Sequence, residues 1–317
     1  MRSFVPILVV WVAVAAGSIV PDLLAPLPRF KHLVTFGDSF TDTAAAAALG
    51  ASAWPVYLAG RANLSLHAFA QAGATCSNNI TPRPSGSVME AQVPAFNRDL
   101  GRPFMPQGET VYTLWIGTND VGVSALLTGD APGKTIVDTT TCAVDWIRVM
   151  YQNGARNFIF QNMIPLQFVN LYSPDGHLNR YWNLPRNATE WSVTMTELTT
   201  AGNALSALMV RNLAQTLPGA RIALFDSHAL FTDMYTNPAL YLNGTAPLNV
   251  TGSIAGCPFE LNGGPVGGAC PPIVEAAERD SFLWFDELHP SEQANRIVAR
   301  EMAGALRGNT RWATWIS

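Results

Sequence analysis

Short runs of β-forming residues recur along the chain with helical patterns between them, and this alternation restricts the fold more than any other feature. The runs are Leu33-Val34-Thr35-Phe36, Val111-Tyr112-Thr113-Leu114-Trp115-Ile116, Asn157-Phe158-Ile159-Phe160 and Arg221-Ile222-Ala223-Leu224-Phe225. Their near-continuous apolar character suits strands covered on both faces, as in a parallel sheet. Between them lie helical patterns. In Thr196 to Leu217, Leu198, Ala201, Leu205, Leu208 and Met209 recur at helical spacing until Pro218-Gly219 stops the run. A last helix opens near Pro290-Ser291 and carries Ala294, Ile297, Val298, Met302 and Ala305 on one face. Such alternation predicts an α/β fold with a mainly parallel central sheet. The stretch from Asn237 to Pro272 is rich in Gly, Pro and Asn and lacks a period, so it reads as a long surface excursion.

At 48% hydrophobic and 13% charged residues, the 317-residue chain can bury a large core and is unlike disordered sequences. A net charge of −4 leaves no basic surface to neutralise phosphates, which sets nucleic acid aside as a partner. Arg2, the apolar run Phe4 to Ala16 and the small residues Ala15 to Ser18 have the form of a signal peptide. Cleavage is expected by about Val20, leaving 21–317 as the mature chain, without a stable membrane anchor. The run is short for a bilayer span and contains Pro6. The uncharged stretch Ala44 to Gly60 is too weakly hydrophobic for lipid and is assigned to the folded domain.

Four cysteines and five glycosylation sequons, at Asn63, Asn79, Asn187, Asn243 and Asn249, agree with a secreted, extracellular protein. Four cysteines allow three pairings. Cys257 and Cys270 bracket a Pro/Gly-rich loop with little apolar content to hold it, so they are paired, and Cys76 with Cys142 by elimination. No cysteine has zinc-site spacing, and no metal is expected.

Two segments carry groups suited to nucleophilic catalysis. Gly37-Asp38-Ser39-Phe40-Thr41-Asp42 follows the first strand run, at the carboxyl end where sites of open α/β sheets gather. Phe285-Asp286-Glu287-Leu288-His289-Pro290 sets a carboxylate three positions before an imidazole. A serine triad needs these groups: histidine takes the serine proton, and a carboxylate fixes its tautomer. Between them stand Gly73, in Ala70-Gln71-Ala72-Gly73-Ala74-Thr75, and Asn119, in Gly117-Thr118-Asn119-Asp120. A backbone N–H and an asparagine amide both suit an oxyanion hole. Taken singly, each segment also has an ordinary use: Ser39 as a helix cap, Asp286 as a local cap, Gly73 in a turn, Asn119 at a strand end.

Taken together and in this order, the four segments resemble the blocks of the SGNH, or GDSL, hydrolase superfamily, over Gly37 to Pro290. The resemblance implies a three-layer α/β/α sandwich in a single domain. It makes Ser39 the nucleophile, His289 the general base and Asp286 its orienter. Ser39 N–H, Gly73 N–H and the Asn119 side chain become the oxyanion donors, and no cofactor is required. Phe69 to Asn78 and Asp286 to Glu292 are further similar to fungal acetylesterases of carbohydrate esterase family 16. That similarity implies release of acetyl groups from fragments such as xylo-oligosaccharides. Where plant-type members continue with Gly-Asn after Asp42, this chain has Thr43-Ala44-Ala45, leaving the nearby pocket wall undefined.

Other classes remain open from sequence: a lipase or lysophospholipase on the same scaffold, and a non-catalytic carbohydrate-binding protein that has kept it. No Gly-x-Ser-x-Gly occurs, so the nucleophile elbow of α/β-hydrolases is missing. Asp226-Ser227-His228 is read as structural, and His32, His67 and His177 have no carboxylate partner comparable to Asp286. Trp54, Trp182 and Trp284 are the candidates for a sugar-stacking surface.

Overall fold

The computed structural model describes residues 27, 29–99, 105–257, 259–263, 270 and 272–316. The signal-peptide assignment, residues 1–20, lies outside the described residues. All four strand runs form strands: β1 (His32–Gly37), then, after α1 (Thr43–Ala48), α2 (Trp54–Ala62), β2 (Ser65–Ala68) and α3 (Val93–Asp99), β3 (Thr110–Trp115). There follow α4 (Thr118–Val121), α5 (Ile136–Gln152), β4 (Asn157–Gln161), α6 (Ala188–Ala214), β5 (Arg221–Phe225) and α7 (Ser227–Thr236). The chain continues through β6 (Asn249–Ser253), β7 (Phe282–Trp284), α8 (Glu292–Ala305) and β8 (Ala313–Ile316).

The main sheet runs β2-β1-β3-β4-β5-β8, parallel except for β8, which lies antiparallel on β5. Helices cover both faces, giving the α/β architecture. One core cluster joins Leu33, Ile159 and Ala223 of the strands to Trp54 and Leu58 of α2, Phe231 of α7 and Ile297 of α8. The other joins Val34, Phe36 and Phe158 to Phe96 of α3 and Trp146 and Ile147 of α5. β1 lies inside the sheet, and its neighbours β2 and β3 carry their own loops to the same carboxyl edge. This places segments remote in sequence beside one another.

The amphipathic pattern of α8 is observed as read, with Ala294, Ile297, Val298, Met302 and Ala305 all buried behind a Ser291 cap. In α6 the face differs. The helix begins at Ala188, where the Asn187 side chain accepts from Glu190 N, and it buries Met195, Thr199, Gly202, Ser206, Val210 and Leu213, while Leu208 is 60% exposed. Close approach decides the face: a Cβ on Gly202 would stand 2.6 Å from Met163 Cε and 2.9 Å from Ile136 Cδ1. Small residues admit the neighbours, and Thr199 and Ser206 satisfy their hydroxyls on backbone carbonyls.

The excursion after Asn237 is not wholly irregular, since it contains β6, which pairs in parallel with β7, the strand that leads to the Asp286 segment. Ala44 to Gly60 folds as α1 and α2, and among the described residues no helix is long and apolar enough to cross a membrane.

Both disulfides are formed as paired from the sequence, Cys76–Cys142 and Cys257–Cys270. The first spans 66 residues and ties the loop after β2 to α5. On chain entropy alone, closing a loop of this length contributes about 4 kcal/mol. Cys76→Ala/Cys142→Ala is therefore expected to lower the denaturant midpoint markedly and to steepen the slope as the freed unfolded chain expands, whereas opening the 13-residue loop of the other bridge should cost less. Equilibrium unfolding followed by tryptophan fluorescence checks the ranking.

Candidate active site

At the end of β1, Gly37 adopts φ 145°, and a Cβ there would fall 2.2 Å from Trp115 O on β3. Only glycine allows the chain to turn this close to its neighbour. The buried Gln92 brackets the turn, accepting from Gly37 N at 3.0 Å and donating to Gly37 O at 2.8 Å. Asp38 then folds under the turn, and its Oδ1 accepts from Phe40 N at 3.0 Å. Burial pushes its carboxyl up to about 7. Ser39 is half-buried and does not cap the following helix. Asp42 does, accepting from Ala44 and Ala45 N with one oxygen and from Ala72 N with the other.

Asp286 and His289 arrive on the segment leaving β7. Asp286 Oδ1 accepts from Leu288 N at 2.9 Å and His289 N at 2.8 Å, a local turn that holds carboxylate and imidazole together. His289 Nδ1 lies 2.9 Å from the same oxygen, and its Nε2 lies 2.8 Å from Ser39 Oγ. With Nδ1–H donated to Asp286, the Nε2 lone pair faces the serine hydroxyl. The local-cap use of Asp286 and its contact to the imidazole thus coexist.

The electrostatics match that proton placement. Burial opposes the Asp286 charge, yet the neighbouring imidazolium and several hydrogen bonds outweigh it and hold the carboxyl well below the usual range. For His289, burial pulls downward and the Asp286 carboxylate more than offsets it, leaving the imidazole above its ordinary value.

The segments named for oxyanion binding flank the Ser39 turn. Gly73, at φ 79°, follows β2 in a loop where Gln71 N donates to Gly37 O at 3.1 Å. A Cβ on Gly73 would meet Ser85 Oγ at 2.5 Å. Asn119 sits in α4 after β3, where its Nδ2 donates to Ala74 O at 2.9 Å, leaving its second hydrogen uncommitted to that carbonyl. The adjacent Asp120 is fully buried and accepts Cys76 N on both oxygens at 3.1 Å and the Thr81 hydroxyl at 2.7 Å. Burial raises its carboxyl to about 6. Arg83 donates to the carbonyls of Asn119 and Val123, bracing the same loop.

A cavity of about 150 Å³ opens beside Ser39 and His289, lined also by Phe40, Ala45, Ala46, Leu49, Ala53, Arg180 and Tyr181. Of Thr43-Ala44-Ala45, Ala45 reaches this cavity, where it joins Ala46 in an apolar wall. None of the three candidate tryptophans lines this cavity. Trp54 and Trp284 are buried core residues, with indole N–H groups donated to Thr41 Oγ1 and Val250 O, so neither offers a face to a sugar. Trp182 is half-buried and packs on Trp191, with ring centroids 5.2 Å apart.

Tyr181 escaped the sequence reading. Its hydroxyl donates to Asp286 Oδ2 at 2.6 Å and lies 3.0 Å from His289 Nδ1. Nothing in Arg180-Tyr181-Trp182 marks it, since its partner is 105 residues away. His177 Nε2 stands 4.0 Å from Glu287 Oε1, a carboxylate neighbour also missed, though too distant for a hydrogen bond. Asp226 caps α7, as a structural reading requires, and no cluster of metal-ligating side chains occurs among the described residues. Of the sequons, Asn63, Asn79, Asn187 and Asn243 are exposed, whereas Asn249 is half-buried and its Oδ1 accepts from Thr251 and Gly252 N.

Comparison with known proteins identifies the family. The model of the GDSL-like lipase/acylhydrolase family matches residues 33–302. An acetylesterase of Hypocrea jecorina is 31% identical, with 99% of each chain covered. An acetylesterase of Thermothelomyces thermophilus is 25% identical over 88% of this chain and 89% of its own. Among solved structures, a GDSL-like lipase from Bacteroides thetaiotaomicron superposes with a TM-score of 0.42 at 12% identity, covering 88% of each chain. With the family's pattern running from the first strand into the last long helix, the chain belongs to the GDSL-like lipase/acylhydrolase family.

Proposed function

We propose that this protein is a secreted serine esterase, one domain over 21–317, that releases acetyl groups from carbohydrate esters such as acetylated xylo-oligosaccharides. The observation that carries the reading is the line from Ser39 Oγ through His289 to Asp286, at 2.8 and 2.9 Å. The names of the two fungal relatives support acetyl as the acyl group. The two disulfides suit an oxidising compartment.

In this reading His289 Nε2 accepts the Ser39 proton as Oγ attacks the ester carbonyl. The tetrahedral oxyanion is held by Ser39 N–H, Gly73 N–H and the Asn119 amide. His289 returns the proton to the departing alcohol, leaving an acyl-serine. Water then enters, His289 takes its proton, and acetate departs with Ser39 restored.

Acetate release from acetylated xylo-oligosaccharide tests the reading, with octanoyl esters as the competing substrate. Preference for octanoyl would replace it with a lipase. Asn119→Ala is expected to lower kcat by roughly 10²–10³, the cost of one oxyanion donor. A wild-type turnover rate in that variant removes Asn119 from the hole.

A further inference from the structure

Beyond the three residues of the proposed triad, a fourth side chain reaches the same hydrogen-bonded cluster. We infer that Tyr181 is a positioning residue of this site, its hydroxyl fixing the Asp286 carboxylate toward His289 and moderating the carboxylate's hold on the protonated imidazole. The inference rests on the esterase reading and adds to it a residue outside the family's blocks quoted above.

The geometry separates the two oxygens of Asp286. Oδ1 is saturated by Leu288 N, His289 N and His289 Nδ1. Oδ2 receives the Tyr181 hydroxyl at 2.6 Å and has the imidazole Nδ1 at 3.1 Å. The carboxylate is almost fully buried, so an oxygen without a donor would be costly. Burial and the adjacent Asp286 charge push the Tyr181 phenol far above its ordinary value, which keeps it protonated and donating.

Tyr181 is itself held in place. Asn179 is fully buried, its Oδ1 accepting from Tyr181 N at 3.0 Å and Trp182 N at 3.2 Å, while its Nδ2 donates to His177 O at 2.9 Å. Asn179 and Trp182 also exchange both backbone hydrogen bonds at 3.1 Å. This explains the fate of Trp182: its place secures the turn that aims the neighbouring phenol. The segment between β4 and α6 thereby becomes part of the site.

A hydroxyl that donates to Asp286 spreads the carboxylate charge and weakens its stabilisation of imidazolium. Without it, His289 should become more basic and hold its proton to higher pH. The other groups bearing on His289 are Asp38 and Ser39 with the Phe40 ring from the β1 turn, Arg180 from Tyr181's own segment, and Glu287 beside Asp286. Asp38 raises the imidazole and Arg180 lowers it. Tyr181→Phe leaves all of these in place and keeps the ring, whose centroid lies 5.8 Å from that of His289.

The test is kcat and KM of Tyr181→Phe from pH 4 to 9 on an acetyl ester, with wild type alongside. The acid limb of kcat/KM is expected to move upward by about half a pH unit or more. At neutral pH kcat should fall roughly tenfold, within what a hydrogen bond to a charged group contributes, with KM little changed. The downfield Nδ1–H resonance of His289, titrated by NMR, should shift its midpoint in the same direction independently of turnover. Superimposable pH profiles, or a loss confined to KM, overturn the role of Tyr181. Labelling with a fluorophosphonate separates this failure from the larger one: wild type that is not modified at Ser39 overturns the esterase reading and this inference with it.

Discussion

Ser39→Ala is expected to remove acetate release almost completely, with kcat down by roughly 10⁶, the scale of losing a triad nucleophile. The substitution should do little else. The hydroxyl's bond is to His289 Nε2, and Ser39 is half-buried at a turn whose shape is set by Gly37, Asp38 and Asp42. The variant should therefore unfold at the wild-type temperature, so that the loss belongs to chemistry. Equal release by the two proteins would overturn the assignment, and contaminating esterase is controlled by purifying both in parallel. Any residual rate reports what the oxyanion donors and the pocket achieve without a covalent intermediate.

Asp286→Asn is expected to lower kcat by roughly 10⁴, through the tautomer of His289 more than through charge alone. An asparagine oxygen in the Oδ1 position can still accept from Leu288 and His289 N, so the turn survives. Its amide would then face the Tyr181 hydroxyl and favour the imidazole with its proton on Nε2, where it can no longer accept from Ser39. Unlike Ser39→Ala, this variant should recover activity as pH rises, because hydroxide can take over part of the base's work. A pH series of kcat/KM distinguishes the two patterns, and an unchanged rate for Asp286→Asn would remove it from the triad.

The strands of the central sheet were legible because burial on both faces leaves a run of apolar residues that hardly depends on context. β2 and β8 were not. β2 has the sequence Ser65-Leu66-His67-Ala68 and is only partly buried at the sheet edge, so nothing in its pattern differs from a loop. Helix α8 could be read since one face meets the core and the other meets solvent. On α6 the reading turned to the larger apolar residues, whereas helix packing chose the small ones around Gly202. Local spacing shows which residues could be buried, and shape complementarity then selects among them.

The candidate site divides along the same line. Ser39 and the Asp286–His289 pair stand in short motifs whose chemistry is local. Tyr181 and Asn179 belong to it only through contacts made after folding, from a loop with no recognisable spacing. Trp54 and Trp284 went to the core, since aromatic residues suit both a sugar and a core and burial chose the latter.

Asp120, whose buried carboxylate binds Cys76 N and Thr81, sits next to Asn119 in the chain and grips the loop that begins at Gly73. The two loops flanking β1 are thereby tied to each other, and the Cys76–Cys142 bridge fastens them to α5. Under the esterase reading, the dipoles awaiting the oxyanion are oriented while the chain folds, so little rearrangement remains when negative charge develops. The cavity wall made by the α1 alanines is joined to the same loop through Asp42, which caps α1 and accepts from Ala72 N. Under the same reading, a larger side chain at Ala45 or Ala46 narrows the space beside Ser39 while the Asp42 and Asp120 hydrogen bonds to the Gly73 loop stay in place.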